Sequence, residues 1–514
     1  MTTNNQDLSS YIGNLAAESF PEFSAPKKPD AANAYGTAAI NTYVKPIYTE
    51  GSKDDYAFPS GIDLNELTAV PKSTISPINS TGSVGAISPI VLSNTEVNEV
   101  HSKNASSSII HGIDVAAVRR DFPILSEKVD GKDLIWLDNA ATTQKPQSVI
   151  DRISYFYQHE NSNIHRAAHT LAARATDAYE EARTKVAQFL NAPSSDNIVF
   201  VRGTTEGINL IANSYGKNFI GKDDEIIVSL LEHHANIVPW QLLCQETGAK
   251  LRVIPVDDSG QIILSEYEKL FNSKTKFVSV TNVSNALGTI TPIQELISSA
   301  HRHGVKILID GAQSASHIRT DVQALDCDFY VFSGHKIYGP TGIGAIYAKK
   351  EVLEQMRPYQ GGGNMIQDVT FEKTIYQAAP NKFEAGTGNI ADAVALGAAL
   401  DYVQKIGIDN IFAYEHYLLE YGTEILSQVP GLKFVGNAKN RTSVLSFVID
   451  GYTTEEIGNA LKEEGIAVRA GHHCAQPILR RFGFESVVRP SLAFYNTTDE
   501  LDKLAYVLKS FVKR

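Results

Sequence analysis

The stretch FYVFSGHKIYGPTGIG, residues 329–344, gives the clearest prediction of how the chain folds. Its first five residues predict a buried β-strand, which ends at Ser333 and is followed by His335, Lys336 and a Gly-rich turn. Ligands of open α/β sheets collect at the carboxyl ends of the strands, so Lys336 is expected in that crevice. A lone lysine is usually a solvated surface residue, but a lysine at this place is a candidate for Schiff-base formation.

A second predicted strand, KILID at 306–310, ends in an aspartate and leads into Gly311, Ala312 and Gln313. A carboxylate at a strand end can pair with the pyridinium nitrogen of pyridoxal phosphate, which keeps the ring protonated and able to accept electrons. The simpler interpretation of Asp310 is a helix N-cap. Because Asp310 and Lys336 follow adjacent predicted strands, the two residues together favour the cofactor.

A third predicted strand, NIVFV at 197–201, runs into Gly203, Thr204 and Thr205 at the start of a predicted helix. The backbone N–H groups and the positive dipole end of such a helix favour a phosphate, and the two threonines add hydroxyls. Alone this signal is weak, since a threonine followed by a glutamate also caps many helices.

A fourth predicted strand, EIIVSL at 225–230, leads to the tandem histidines His233 and His234. Their spacing is not that of a zinc-binding helix and no third ligand is obvious, so no metal is predicted. An imidazole stacked on a planar cofactor is the better interpretation of His233.

From about residue 113 amphipathic helix patterns alternate with short strands rich in Val, Ile and Phe. This alternation predicts an α/β fold with βαβ units and a mainly parallel sheet. We expect a large domain over residues 111–399, whose first part contributes to the second domain, and a smaller α/β domain over 400–514. In the smaller domain the pattern predicts helix 412–428, strand 443–449 and helices 455–465 and 498–512.

Composition excludes several classes of protein. The chain has 514 residues and a formal net charge of −12, and an acidic chain without a basic block argues against nucleic-acid binding. Three cysteines without a CxxC pair rule out a disulfide framework and fit a reducing compartment. The sequence shows neither a secretory signal nor an apolar run that would span a membrane, so we expect a cytoplasmic protein.

Residues 1–110 differ in composition from the rest of the chain. They contain 35 Ser, Thr or Asn residues and eight prolines, but no Arg. Such a segment is predicted to be mostly disordered, because it buries too little apolar surface to offset its ordering entropy. Apolar islands at 8–20, 40–48 and 86–92 are either apolar stretches of a linker that have no specific partner, or short motifs that fold onto a partner.

Eight motifs resemble, in order, the group II (SufS-like) cysteine desulfurases of the class V aminotransferase superfamily, which have the pyridoxal-phosphate-dependent aspartate-aminotransferase fold. The resemblance covers about residues 112–514. The motifs are LDNAATTQKP (137–146), NIHRAAHTL (163–171), EHHANIVPWQ (232–241), VSNALGT (283–289), DGAQS (310–314), SGHKIYGPTGIG (333–344), FEAGT (383–387) and RAGHHCAQP (469–477).

The resemblance implies a set of cofactor contacts. Lys336 would carry pyridoxal 5′-phosphate, with Asp310 on the ring nitrogen, Gln313 on the ring hydroxyl and His233 stacked on the ring. The expected phosphate ligands are Thr204, Thr205, Ser333 and His335, joined by Thr387 from the second subunit of a homodimer.

The resemblance also implies how L-cysteine would be bound and cleaved. Arg489 would hold the substrate carboxylate, Asn285 would lie beside cofactor and substrate, and Arg469 would lie near the catalytic loop. Cys474 would be the nucleophile, which takes the sulfur as a persulfide, releases L-alanine and passes the sulfur to a SufE-like acceptor. Among the three cysteines, Cys474 alone has a polar setting in which cationic groups favour the thiolate.

Alternatives stay open at this point. A selenocysteine lyase or another class V enzyme would use the same cofactor, and a chain that chiefly stores or binds a partner is a third interpretation. The segment 1–110 is poorly suited to be a transit peptide, because it has 11 acidic residues and no Arg. It would be a solubility tail, or it would load the enzyme into an encapsulin shell, as in cysteine desulfurases with similar extensions.

Overall fold

Seven strands form the central sheet of the protein. They are β1 (Ile198–Val201), β2 (Glu225–Ser229), β3 (Lys250–Ile254), β4 (Thr275–Thr281), β5 (Lys306–Asp310), β6 (Phe329–Ser333) and β7 (Gly344–Ala348). Their spatial order is β1-β7-β6-β5-β4-β2-β3. All neighbouring pairs are parallel except those of β7, which runs antiparallel to β6 and β1. The sheet confirms the predicted α/β fold.

The longer helices alternate with these strands and continue beyond them. They are α1 (Gln147–His159), α2 (Thr170–Phe189), α3 (Thr204–Ile211), α4 (Val238–Thr247), α5 (Leu264–Leu270), α6 (Ile293–Arg302), α7 (Ile390–Ile406), α8 (Ile408–Ser427), α9 (Thr454–Lys462), α10 (Gln476–Arg481) and α11 (Thr498–Val512). Strands β1, β2, β6 and β7 are buried along their whole length, which explains their continuous apolar sequences.

A second, four-stranded antiparallel sheet contains β8 (Leu432–Phe434), β9 (Phe447–Ile449), β10 (Arg469–Gly471) and β11 (Val487–Arg489), in the order β8-β9-β11-β10. Strand β9 is shorter than the predicted strand 443–449. Leu445 donates its N–H to the Pro490 carbonyl, and Pro490 has no N–H to return, so the regular ladder does not extend to this end.

The segment of residues 135–138 pairs with residues that lie next to strands of this second sheet in the chain. Strand Ile135–Trp136 pairs in parallel with Ile466–Ala467, and Asp138 forms an isolated parallel bridge with Ser491. The first motif, which begins at residue 137, is therefore paired with residues from the far end of the chain. The division into domains at residue 400 stays a prediction.

The computed structural model describes residues 109–165 and 168–512. Apart from Ile109–Ile110, a short strand that pairs with Ile113–Asp114, the expectations for residues 1–110 lie outside the described residues. Within the described part of the chain, no helix combines the length and apolar character needed to cross a membrane.

Gly311, the residue after β5, allows a close approach of the chain to a buried ring. A Cβ atom at Gly311 would lie 2.1 Å from Cζ of Tyr330. This ring is held in place, because its hydroxyl lies 3.0 Å from Ser314 Oγ and 3.1 Å from Thr320 Oγ1. The turn that carries Asp310 and Gln313 therefore depends on a residue without a side chain.

We expect Gly311→Ala to lower the free energy of unfolding by about 1–3 kcal/mol, the usual cost of an overpacked core. Urea unfolding followed by circular dichroism measures it. Gly361→Ala is the control, because a Cβ there meets nothing within 4 Å. Equal stability of the two variants would contradict the packing argument.

Candidate active site

An amine and a carboxyl group meet at the carboxyl edge of the central sheet. Strands β5 and β6 pair with Asp310 opposite Val331, and Gly311 donates its N–H to the Val331 carbonyl at 2.8 Å. Asp310 is buried and Lys336, three residues after the end of β6, is half-buried. The predicted juxtaposition of the two strand ends is confirmed by this register.

Burial shifts both groups away from their ordinary ionisation. It lowers the pKa of Lys336 to about 8; Asp310 opposes this shift, while the positive charges of Arg489 and Arg469 add to it. Burial also raises the pKa of Asp310, against the N–H of Ala312, which Asp310 accepts at 2.9 Å, and the charge of Lys336. The edge of the sheet therefore holds an amine that loses its proton easily and a carboxyl group that needs a cationic partner.

The start of α3 lies directly against the end of β6. Thr204 donates its N–H to Ser333 Oγ, and Ser333 Oγ donates to Thr204 Oγ1, each at 2.9 Å. A Cβ at Gly344 would lie 2.7 Å from Cα of Gly203, so β7 brings the turn close to β6. Thr205 is exposed on the same first turn. The residues predicted to bind a phosphate therefore lie together, and their binding of a phosphate stays a prediction.

Two histidines on which the charge of Lys336 acts, His233 and His335, have pKa values well below the usual range. Burial, followed by the charge of Lys336, lowers the pKa of His335 to about 4 and that of His233 to about 3. His233 Nδ1 accepts the N–H of Ala235 at 3.0 Å, so the proton of the neutral ring is assigned to Nε2. His233 therefore presents an N–H donor over the physiological pH range.

Backbone hydrogen bonds dock the Cys474 loop onto the edge of the central sheet. Cys474 is a half-buried free cysteine between β10 and α10. Its carbonyl accepts the N–H of His234 at 2.8 Å, and Asn285 Nδ2 donates to the His473 carbonyl at 2.8 Å. The Cys474 N–H donates to His472 Nδ1 at 3.0 Å. His473 and Cys474 both have a φ of +53°, a left-handed conformation that side-chain-bearing residues adopt at a cost.

Asp138 joins the two predicted substrate arginines. Its Oδ1 is 3.0 Å from Arg489 Nη2, and its Oδ2 is 3.1 Å from Arg469 Nε. Arg489 is buried, and its Nη1 donates to the Asn285 carbonyl at 2.8 Å. Burial lowers the pKa of Arg489 to about 10, against the opposing charge of Asp138. Asp138 therefore links the arginines to the residue that holds the Cys474 loop.

Thr387 lies apart from the other predicted site residues. It is exposed, its Oγ1 donates to Asn163 Oδ1 at 3.2 Å, and it lines a cavity of about 600 Å³ with Arg202 and Glu206 of the α3 turn. Within the described residues it makes no hydrogen bond to Thr204, Ser333 or Lys336. Its contribution from a second subunit stays a prediction.

Sequence reasoning missed Asp138 and Lys145 as site residues, although both lie in the quoted motif 137–146. Lys145 Nζ is 3.4 Å from the His335 carbonyl, and burial lowers its pKa to about 8. The available signal for Asp138 was its place just after the apolar segment LIWL, the same strand-end pattern that identified Asp310.

The residues at this edge fit pyridoxal 5′-phosphate. Asp310 offers a buried carboxyl group to a protonated ring nitrogen, and Lys336 Nζ makes no hydrogen bond or ion pair within the described residues. Gln313 Oε1 is buried there without a hydrogen-bond partner, as a group reserved for a ligand would be. The turn at Gly203 supplies the phosphate cradle.

We expect Asp138→Ala to destabilise the protein by about 3–5 kcal/mol, because it leaves the Arg489 charge buried without its partner. Urea unfolding at pH 7 measures the change. The control is Asp409→Ala, which removes a carboxylate from the exposed pair with Arg319 and should cost at most about 1 kcal/mol. Equal losses in the two variants would show that Arg489 does not depend on Asp138.

Comparison with known proteins agrees with this geometry. The chain is 67% identical over 398 residues to a cysteine desulfurase of Synechococcus elongatus, an alignment that covers 77% of this chain and 64% of that protein. It is 64% identical over 389 residues to a probable cysteine desulfurase of Mycolicibacterium paratuberculosis, covering 76% and 57%. The crystal structure of the cysteine desulfurase CsdA of Escherichia coli superimposes with a TM-score of 0.73 at 39% identity, over 78% of this chain and 98% of that one.

The chain thus spans about three fifths of the length of these two curated relatives. The family model for class V aminotransferases, enzymes that use pyridoxal 5′-phosphate, matches residues 135–504. That range includes every predicted site residue. The chain belongs to the class V aminotransferase family.

Proposed function

We propose that this protein is a cysteine desulfurase of group II, which converts L-cysteine to L-alanine and takes up the sulfur on Cys474. The observation that carries the proposal is the docking of a free cysteine at the amine-bearing edge of the sheet. The Cys474 carbonyl accepts the His234 N–H, and Asn285 holds the His473 carbonyl, each at 2.8 Å. The relatives named cysteine desulfurases support the same reaction.

Pyridoxal 5′-phosphate, when bound, supplies an electron-accepting ring that stabilises negative charge at the substrate α-carbon. Lys336 suits the transfer of the α-proton, because a pKa of about 8 leaves part of its amine neutral near pH 7. The buried carboxylate of Asp310 would keep the ring nitrogen protonated. His233, neutral with its proton on Nε2, would contact the ring face and donate a hydrogen bond within the site.

Arg489 and Asn285 would orient the substrate. The guanidinium of Arg489 is buried, and its Nε has no partner within the described residues. Asn285 Oδ1 is likewise buried without a partner, while its Nδ2 supports the Cys474 loop. Arg489 Nη1 donates to the Asn285 carbonyl, so the two residues are in contact. The Arg489 guanidinium can therefore bind a carboxylate next to Asn285 Oδ1, which can accept a hydrogen bond.

The thiolate of Cys474 would attack the substrate sulfur. A sulfur–sulfur bond forms, the carbon–sulfur bond of the substrate breaks, and its electron pair ends as a C–H bond of L-alanine after protonation. Cys474 is left as a persulfide. A second thiol must then accept the outer sulfur, and we propose a SufE-like protein in this role, as in other members of group II.

The other two cysteines are poorly suited to this step. Burial raises the pKa of the Cys327 thiol to about 12, and it raises that of the half-buried Cys244 as well. Both are therefore thiols rather than nucleophilic thiolates at neutral pH. An aminotransferase of the same family would have no use for Cys474, and a selenocysteine lyase would favour the selenium substrate over L-cysteine.

We further propose that the active form is a homodimer. The exposed position of Thr387, in a cavity next to the α3 turn, is compatible with its serving the phosphate site of a second subunit. Gly386 and Gly388, the neighbours of Thr387 in the chain, are also exposed and line the same cavity.

We expect Cys474→Ala to reduce the formation of alanine from L-cysteine by at least about 10²-fold, because the reaction loses its nucleophile. The yellow absorbance of the bound cofactor should persist, since the loop is held by backbone groups. Alanine is quantified by chromatography in the presence of a reductant.

Cys244→Ala is the matched control and should retain activity. A yellow Cys474→Ala protein that still forms alanine would contradict the proposal and favour another class V reaction. Parallel assays with selenocysteine distinguish a selenocysteine lyase from a cysteine desulfurase, because the lyase would turn over selenocysteine far better than L-cysteine.

For residues 1–110, of which all but the last two lie outside the described region, we propose a cargo-loading role in which the apolar islands at 8–20, 40–48 and 86–92 bind the interior of an encapsulin shell. The support is compositional: apolar islands separated by polar spacers suit multivalent attachment. The enzyme would then work in the cytoplasm, inside such a shell.

We expect deletion of residues 1–110 to leave desulfurase activity within about twofold and to abolish packaging. Co-expression with a shell protein, followed by size-exclusion chromatography, measures packaging. A variant that keeps the segment but replaces the three islands with Ser and Gly tests whether the islands are the contacts. Co-purification of the truncated enzyme with the shell would refute the loading role.

A further inference from the structure

A row of three buried polar side chains continues from Gln313 into the protein core. Gln313 Nε2 lies 3.5 Å from Nε2 of His317, and His317 Nδ1 is hydrogen-bonded to Oε2 of Glu415 on α8. The three residues are 4%, 3% and 2% exposed. None of the steps proposed above uses His317 or Glu415.

Such a row is costly to bury, which makes its presence informative. Buried polar groups destabilise a fold unless each is hydrogen-bonded. Glu415 has further contacts, since Ser443 Oγ donates to its Oε2 at 3.5 Å and the backbone N–H of Phe494 also faces it. Burial nevertheless raises its pKa. Within the part of the chain that the structure describes, Glu415 Oε1 is buried without a hydrogen-bond partner, as Gln313 Oε1 is.

The chemistry of the three side chains fixes the orientation of the Gln313 amide. With the Nδ1 proton of His317 assigned to the hydrogen bond with the Glu415 carboxylate, Nε2 of the imidazole is the acceptor. Gln313 therefore turns its NH₂ group toward His317 and leaves Oε1, an acceptor, as its free end. Without the carboxylate, His317 can hold its proton on Nε2, and the Gln313 amide can then turn around and present a donor.

We propose that Glu415 and His317 are positioning residues that fix the Gln313 amide, so that Gln313 presents a hydrogen-bond acceptor to the ring hydroxyl of the cofactor. This inference rests on the proposed function, in which Gln313 contacts that hydroxyl. An acceptor at this place stabilises the protonated hydroxyl, whereas a donor would stabilise the deprotonated one. The row thereby sets an electronic property of the cofactor from inside the protein core.

The test is the absorbance spectrum of the holoenzyme at a fixed pH near 7, whose bands distinguish cofactor with a protonated and a deprotonated ring hydroxyl. We expect Glu415→Gln to raise the ratio of the deprotonated to the protonated form about fivefold, the effect of about one hydrogen bond. His317→Ala should change the ratio in the same direction. The control is His301→Ala, which breaks a similar pair with the buried Asp328 away from the site.

A double-mutant cycle separates positioning from a general effect on packing. In a Gln313→Ala background, Glu415→Gln should leave the band ratio unchanged, because its effect passes through the amide. An unchanged ratio in the single variant, a shift in the opposite direction, or an equal shift in the Gln313→Ala background would each overturn the inference. If the wild-type protein shows no cofactor absorbance after incubation with pyridoxal 5′-phosphate, the proposed function itself is overturned.

Discussion

The parallel pairing of β5 with β6 brings Asp310 and Lys336 to the same buried edge, and the site is organised around these two groups. Burial disfavours the charged form of each group, because it lowers the pKa of Lys336 to about 8 and raises that of Asp310. A ligand that carries an aldehyde for the amine and a basic ring nitrogen for the carboxyl group relieves both costs at once. Part of the electrostatic cost of burying these two groups is therefore removed only when the cofactor binds.

The second sheet adds a free cysteine to this edge, and contacts to its backbone hold it there. The position of the thiol depends on the bond from His234 N–H to the Cys474 carbonyl and on the bond from Asn285 to the His473 carbonyl. Asp138 ties the same region to a third part of the chain through Arg489. Because three distant segments meet here, small shifts of one sheet against the other would move the thiol relative to the amine.

Much of the fold could be predicted from the sequence. Strands 306–310 and 329–333 have exactly the predicted bounds, because their continuous apolar character is what a strand buried on both faces requires. The strand predicted over 443–449 begins only at Phe447, because its partner segment contains Pro490. The pairing of Asp138 with Arg489 and that of His317 with Glu415 could not be predicted, since they join segments more than 90 residues apart.

Burial keeps the histidines of the site neutral, and nearby positive charges add to this effect. Within the described residues, Arg489 and Arg469 both pair with the carboxylate of Asp138, which leaves an excess of positive charge. Burial lowers the pKa of His473 to about 3, and the charges of Arg489 and Arg469 add to this shift. At His233 burial acts first, followed by the charge of Lys336 and, more weakly, that of Arg489. The same excess favours an anion, and an amino acid brings one as its carboxylate. Neutral imidazoles and the attraction of an anion to this edge therefore share a contribution from the same positive charges.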